Sequence, residues 1–380
     1  MPAALPDELL EEIFLRLPPD EPAWLVRASL ASKLWLGLLS GPSFRRRYRD
    51  LHGAPPMLGF LYSLRFFSDD EKEEERAPNL VPTTTRFRSR VPGGGWRPWR
   101  YAPLDCRHGR ALLEIENVIP GLLVVWDPMT GRQRELDKPR KYTTGRNHRA
   151  AVLCAATGSN HEACHDGPFL VVLVGLRGSR ARASVFSSET GEWSEPCSKL
   201  ALGDEAFVEP MPPVLIGDAL FFMFAYDEAE NLGNIKYDLG SNRLSLIDMP
   251  VVGYVPVGEV MLMAKDDGSL GFAYMEGLTL GLWSRQMGSD GVASWTNEPR
   301  IVSLKNLLPT QNLMETLELN GSVEGSDIIF VATSLGALAS AQCKKLWKKE
   351  EYFRSLFPYM SFYNPQERAR PCNVAHLPEK

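Results

Sequence analysis

The pattern of apolar positions near the start of the chain predicts three short helices. The first begins at Pro6, whose fixed φ suits the first turn of a helix, and ends before Pro18-Pro19. The second covers about residues 22–30, and the third runs from Ser32, as the N-cap, to Gly41-Pro42, which closes the unit. So small a unit carries more leucine than it can bury alone, which predicts a surface for a partner. The apolar positions are Leu9, Leu10, Ile13, Phe14 and Leu17 in the first helix, Trp24, Leu25, Ala28 and Leu30 in the second, and Leu34, Trp35, Leu38 and Leu39 in the third.

From about residue 83 the pattern changes to short β-branched and aromatic runs separated by Gly, Pro, Asn and Asp. Four aromatic anchors, Trp126, Phe186, Tyr237 and Trp283, each precede a polar turn and lie 60, 51 and 46 positions apart. This spacing is close to the roughly 40 to 50 residues of a four-stranded propeller blade. Five such units are visible, and a sixth built from residues 83–101 and 360–363 would close the ring. Because the period drifts, a β-sandwich with irregular loops remains the alternative.

These patterns predict an α+β multidomain chain, in which a small three-helix module precedes a large all-β domain of propeller type. We place the helical module at residues 1–50 and a linker at residues 51–82. The linker includes a charge-dense segment at residues 68–78 that indicates an exposed loop. The β domain is predicted at residues 83–364, followed by a tail at residues 365–380.

Composition narrows the classes of partner and compartment. The chain has 380 residues, of which 44% are hydrophobic, and a net charge of −5 that favours neither nucleic acid nor an acidic membrane surface. The longest apolar runs, at residues 169–176 and 219–225, are far shorter than the roughly 20 residues of a membrane helix. The acidic start argues against a signal peptide, and the six scattered cysteines, with no Cys-x-x-Cys pair, suit free thiols. We therefore expect a protein of the cytoplasm, the nucleus or both.

Two segments contain residues that could carry chemistry. His161-Glu162-Ala163-Cys164-His165 matches the zinc-protease pattern, but that chemistry needs a helix, and the flanking residues form turns. Cys106 and His108 could indicate a thiol nucleophile, although no residue is placed to orient a base. We predict no catalytic residue, no metal site and no cofactor.

The N-terminal motifs carry a specific resemblance. Leu-Pro-x-Glu-Leu-Leu at residues 5–10, followed by Ile13, Leu-Pro-Pro at 17–19 and Lys-x-Trp at 33–35, resembles the F-box. In that family this module attaches substrate receptors of Skp-cullin-F-box ubiquitin ligases to the Skp adaptor. Ala31-Ser32 and Leu36 depart from the usual pattern, and an ordinary helical cap on a larger domain remains the alternative. The resemblance implies that the adaptor-binding residues are Leu5, Pro6, Leu9, Leu10, Ile13, Leu17, Pro18, Leu25, Leu30, Lys33 and Trp35. Some of these residues must pack inside the helical module instead.

The β region also has a family resemblance, carried by less specific motifs. Residues 104–110 and 358–363 resemble sequence motifs of the F-box-associated β domain of plant-type F-box proteins. The resemblance implies a substrate-recognition subunit that binds the Skp adaptor, and through it cullin, and presents a target protein for ubiquitination without being an enzyme. A propeller-type protein that binds peptide or glycan, with purely structural helices, is the competing hypothesis.

Overall fold

The computed structural model divides into two compact units, each taken here only in its described residues. The first contains parts of Met1–Gly59, Pro82–Arg88 and Met360–Lys380, and the second contains parts of Phe60–Val81 and Ser89–Tyr359. The described residues are 5–64, 80–83, 101–115, 121–139, 147–155, 167–197, 199–202, 206–226, 232–250, 258–288, 291–298, 302–304, 317–326, 328–333, 337–340, 346–348 and 353–363.

The first unit contains four helices, one more than the sequence pattern predicted. They are α1 (Asp7–Leu15), α2 (Ala23–Ala31), α3 (Lys33–Ser40) and α4 (Pro42–His52). The predicted cap is present, since the Ser32 side chain accepts a hydrogen bond from the Leu34 amide. Gly41-Pro42, which we expected to close the unit, instead begins α4, because a proline in the first turn needs no amide partner.

The β region is arranged as a β-propeller, as predicted, and the β-sandwich alternative is wrong. The described residues form five blades. In every blade the neighbouring strands pair antiparallel. Blade one contains β3 (Tyr101–Arg107), β4 (Arg110–Ile115), β5 (Leu122–Trp126) and β6 (Gln133–Asp137), and blade two contains β7 (His148–Cys154), β8 (Phe169–Leu176), β9 (Arg180–Ser187) and β10 (Leu200–Ala201). Blade three contains β11 (Ala206–Val208), β12 (Val214–Ile216), β13 (Ala219–Tyr226), β14 (Leu232–Asp238) and β15 (Arg243–Ile247). Blade four contains β16 (Val260–Ala264), β17 (Leu270–Glu276), β18 (Thr279–Met287), β19 (Ala293–Asn297) and β20 (Val302–Ser303), and blade five contains β21 (Leu317–Ser322), β22 (Ile329–Thr333), β23 (Ala337–Ser340) and β24 (Leu346–Lys348).

The aromatic anchors identified in the sequence occupy one structural position. Trp126 lies in β5, Phe186 in β9, Tyr237 in β14 and Trp283 in β18, each next to the outer strand of its blade. Apolar side chains of successive blades form shared clusters, joining blades one and two, two and three, three and four, and four and five. The propeller core therefore lies between the blades, as burial of both faces of each sheet requires.

A further three-stranded sheet combines distant parts of the chain. It has the order β2-β1-β25, with β1 (Met57–Leu64), β2 (Leu80–Pro82) and β25 (Phe353–Met360). Leu61 and Phe357 of this sheet pack with Ala111 and Leu113 of blade one.

The three-stranded sheet corrects our expectation of a sixth unit. Of the residues we assigned to it, Tyr101 begins blade one, and only Met360 lies in this sheet, while residues 84–100 lie outside the described residues. The sheet instead places strands within the segment predicted as a linker at residues 51–82. The charge-dense segment at 68–78 also lies outside the described residues.

Candidate functional site

The helical unit has its own apolar core, which holds α4 against α1. The Tyr48 hydroxyl donates to the Leu17 carbonyl at 2.7 Å, and burial raises the pKa of that phenol. The Phe14 and Trp35 rings meet edge to face at 5.3 Å, a favourable geometry for aromatic pairs. The buried members of this helical core are Leu10, Phe14, Leu15, Leu25, Ala28, Leu39, Phe44 and Tyr48.

A second group of apolar side chains points away from the helical core. Leu9 and Ile13 lie one helical turn apart on the same face of α1, and about half of each side chain is exposed. Leu30 at the end of α2 is 76% exposed. These exposed apolar side chains on so small a unit are candidates for a protein-binding surface. We call this group the exposed apolar set, and its members are Leu5, Leu9, Ile13, Leu30 and Leu34.

The structure separates the predicted adaptor-binding residues into three groups. Leu17 and Trp35 are half-buried against the helical core. Leu10 and Leu25 are buried within it, at 8% and 1% exposure, so their assignment to a contact surface is corrected to internal packing. The other seven, namely Leu5, Pro6, Leu9, Ile13, Pro18, Leu30 and Lys33, are exposed.

Sequence reasoning did not assign two exposed residues, Leu34 and Trp24, to the contact surface. Leu34 is 56% exposed, and Trp24 donates its indole N–H to Glu21 at 2.9 Å while the Arg27 guanidinium lies 5.3 Å from its ring centre. Five large apolar residues in the eight-residue α3 exceed what one buried face requires. That excess could have signalled an exposed leucine, although not which one.

An ion-pair cluster on the helix surface connects α1 and α4. Arg47 contacts Glu11 at 2.8 Å and also pairs with Glu12. Because the side chains of Arg47 and Glu12 are each nearly half exposed, solvent screens these pairs, and each contributes little to stability. Arg46 and Arg47 therefore lie on the exposed side of α4.

The candidate chemistry gains no support from the described residues. The histidines of residues 161–165 lie outside that part of the chain. Among the described residues, no three His, Cys, Asp or Glu side chains gather as metal ligands. Burial raises the pKa of the Cys106 thiol well above its usual range, and the neighbouring Asp105 carboxylate adds to the effect. This disfavours the thiolate that a nucleophile requires.

Buried charges in the β region serve to connect blades. Arg107 of blade one pairs with Asp105 at 2.8 Å, contacts Glu324 beyond β21 at 3.1 Å and donates to the Pro213 carbonyl before β12 at 2.7 Å. Asp105 also accepts from the Val152 amide of blade two at 2.8 Å. Burial raises the pKa of Asp105 to about 6, although Arg107 favours the ionised form. Four blades thus meet at one charged cluster.

A second buried group joins blades one and two. Glu114 pairs with Lys138, and its other carboxylate oxygen lies 3.1 Å from His148 Nε2. Burial alone would raise the pKa of Glu114, but the hydrogen bonds and charges of His148 and Lys138 outweigh it and lower the pKa to about 2. Because Glu114, Lys138 and His148 satisfy one another's hydrogen-bonding groups, we interpret this group as a structural connection between blades one and two.

Comparison with known proteins identifies the helical unit. Residues 2–50 match the family model described as F-box-like. These helices are an F-box-like domain. The chain is also similar to an F-box protein of Arabidopsis thaliana, at 23% identity over 288 residues that cover 72% of this chain and 63% of that relative. The chain therefore spans less than two thirds of the length of this relative.

Solved structures similar to this chain are distant. They include a protein from Lactobacillus plantarum (9% identity, TM-score 0.41, covering 77% of this chain and 82% of that one). Another is a quinonprotein alcohol dehydrogenase-like protein from Bacteroides thetaiotaomicron (10% identity, TM-score 0.39, covering 81% and 78%). TM-scores this low carry no argument about the fold or the function.

None of the helices that the structure describes is long and apolar enough to span a membrane.

Proposed function

We propose that this chain is the substrate-recognition subunit of a Skp-cullin-F-box ubiquitin ligase. The exposed apolar set of the F-box-like domain is the observation that supports the proposal most directly. Leu5, Leu9, Ile13 and Leu30 are positions that the family resemblance assigns to the adaptor surface, and all four are about half or more exposed. An adaptor protein that covered them would remove this apolar surface from water.

In this proposal the β-propeller, within the domain predicted at residues 83–364, binds the target protein through its loops. The chain breaks and forms no bond, because the recruited conjugating enzyme supplies the chemistry. Its contribution is proximity, which raises the effective concentration of target lysines beside the charged thioester. The partners are the Skp adaptor, cullin through that adaptor, and a target, with no nucleic acid or membrane, in the cytoplasm or the nucleus.

The adaptor contact is tested by substituting exposed residues only. Leu10 and Trp35 pack in the helical core, so replacing them would test folding as well as binding. Leu9→Asp combined with Ile13→Asp places two charges on the exposed face of α1. We expect copurification with the Skp adaptor to weaken at least about thirtyfold, because a central interface residue contributes about 2 kcal/mol or more.

The matched control is Met287→Asp with Val292→Asp, which changes two exposed apolar residues of blade four. This control should retain adaptor binding, and circular dichroism should be the same for both variants and the parent. Undiminished adaptor binding by the α1 variant would refute the proposal. The competing peptide- or glycan-binding hypothesis predicts no adaptor binding by any of the three proteins.

A further inference from the structure

Residues 361–363 follow β25 and belong to the helical unit. The Ser361 amide donates to the Pro56 carbonyl at 3.2 Å, just after α4. The Phe362 ring meets the edge of Tyr48 at 5.9 Å, with the two planes at 78°. The Tyr363 hydroxyl lies 3.5 Å from Ser29 Oγ, although the two residues are 334 positions apart in the chain. Three successive residues therefore contact α2, α4 and the segment that follows α4.

These contacts reach the core of the F-box-like domain rather than its surface. Tyr48 is 3% exposed and Ser29 is 7% exposed, and both Phe362 and Tyr363 pack against the helical core. Ser361 is itself buried. Removing two aromatic side chains from such a site would expose apolar core surface and leave a cavity, which destabilises the helices around it.

The docked segment leaves the partner surface free. Its helix contacts are core residues, and the exposed apolar set stays exposed while Phe362 and Tyr363 are in place. Docking of the segment is therefore compatible with adaptor binding, and the segment does not compete for the same surface. Residues 361–363 can therefore stabilise the helices without covering the exposed apolar set.

We propose that residues 361–363 are an integral part of the F-box-like domain, in which Phe362 and Tyr363 complete the core beside Tyr48 and Ser29 and thereby maintain the adaptor-binding surface. The F-box-like domain is then a composite of two chain segments distant in sequence. Its matched residues, 2–50, are insufficient for full stability. The part of this inference that concerns adaptor binding rests on the proposed function, whereas the part that concerns helix stability does not.

The experiment compares full chains that differ only in this segment. One variant ends after Met360, its control ends after Tyr363, and a third carries Phe362→Ala with Tyr363→Ala. Tyr363→Phe, which keeps the ring, and Met287→Ala, which removes an exposed side chain in blade four, serve as matched controls. Amide hydrogen exchange is followed in α2 and α4 and, as a measure of propeller integrity, in β13. Binding to the Skp adaptor is measured in parallel.

We expect exchange in α2 and α4 to become about tenfold faster or more in the chain ending after Met360 and in the double alanine variant, with β13 unchanged. Adaptor binding should weaken in the same two proteins, while the three controls match the parent. Unchanged exchange in α2 and α4 of both variants would overturn the inference. Weaker adaptor binding without faster exchange would also overturn it, because the segment would then contact the adaptor directly.

The two proposals fail in distinguishable ways. If no protein binds the adaptor, including the parent, the ligase assignment fails, but the exchange rates still decide whether the segment completes the core. If the parent binds and the double alanine variant shows parental exchange and parental binding, only the composite domain is refuted.

Discussion

At the scale of single residues, Glu114 is a partly buried carboxylate that stabilises the fold in its ionised form. Its pKa is lowered from 4.5 to about 2, which corresponds to about 3 kcal/mol. We expect Glu114→Gln to lower the free energy of unfolding at pH 7 by up to this amount, as measured by chemical denaturation. Because the folded pKa is depressed, the contribution is complete above about pH 4.5 and is lost as the pH falls towards 2.

The comparison between parent and Glu114→Gln isolates this effect from that of Asp105. The pKa of Asp105 is raised, so its folded form binds the proton more tightly, and its contribution to stability increases as the pH falls from about 6 to 3.8. Asp105 is present in both proteins and cancels in the difference. A stability difference that stays constant from pH 7 to pH 2 would contradict the role given to Glu114.

Gly321 is a residue at which any side chain would collide with backbone. A Cβ built there would lie 2.5 Å from the carbonyl oxygen of Leu356 in β25. We expect Gly321→Ala to lower the thermal unfolding midpoint, because the two strands must separate to make room. Gly37→Ala is the matched control, since a Cβ at Gly37 in α3 meets no atom within 4 Å. That substitution should stabilise the helix by about 0.5–1 kcal/mol. Equal destabilisation by both changes would refute the close approach at Gly321.

At the scale of elements, two tryptophans connect neighbouring blades in the same way. The Trp193 indole N–H of blade two donates to the Asp137 carbonyl in β6 of blade one at 2.8 Å. Trp295 in β19 of blade four donates to the Asp248 carbonyl, just after β15 of blade three, at 2.6 Å. We expect Trp193→Phe and Trp295→Phe each to lower the free energy of unfolding by about 1 kcal/mol.

Because the two tryptophan contacts share no residue and lie between different blades, their effects should add within about 0.5 kcal/mol in the double variant. Chemical denaturation of the parent, both single variants and the double variant measures the four values. A large coupling between the two substitutions would indicate that the contacts are not independent connections.

The sequence predicted elements better than it predicted their partners in space. Helical spacing and the Ser32 cap located the helices, and the anchors Trp126, Phe186, Tyr237 and Trp283 located four blades, because both signals are local. The three-stranded sheet was missed because β1 pairs with β25, nearly 300 residues later, and no local pattern encodes such a contact. Pro42 was misjudged because proline is compatible with both the start and the end of a helix.

Sequence resemblance proposed a candidate surface but did not separate contact residues from packing residues. Leu9 and Leu10 are adjacent and chemically identical, yet Leu9 is about half exposed and Leu10 is buried. Successive residues of a helix point about 100° apart around its axis, so Leu10 faces the helical core and Leu9 does not. Only the packed structure defines where that core lies. The contacts of Phe362 and Tyr363 with the helices had no sequence signal at all.

At the scale of the whole molecule, the proposed function assigns attachment and recognition to different parts of one chain. If the F-box-like domain holds the adaptor and the β-propeller holds the target, damage to one part should leave the other able to bind. Deleting residues 1–50 is a poor test, because it would expose the rings of Phe362 and Tyr363, which pack against the helical core. The Leu9→Asp, Ile13→Asp variant leaves these residues covered.

We therefore expect the Leu9→Asp, Ile13→Asp variant, expressed beside the parent in cells, to protect the target from degradation. The variant keeps its propeller and competes for the target, but it cannot bring that target to the conjugating enzyme. Affinity capture under cullin-neddylation inhibition should recover the same target proteins with the parent and the variant, and a pulse-chase measurement should show a longer target half-life when the variant is present. The blade-four control with Met287→Asp and Val292→Asp retains the adaptor surface and should leave the half-life unchanged. A variant that captures no target, or that captures it without lengthening its half-life, would contradict the division of roles between the two parts.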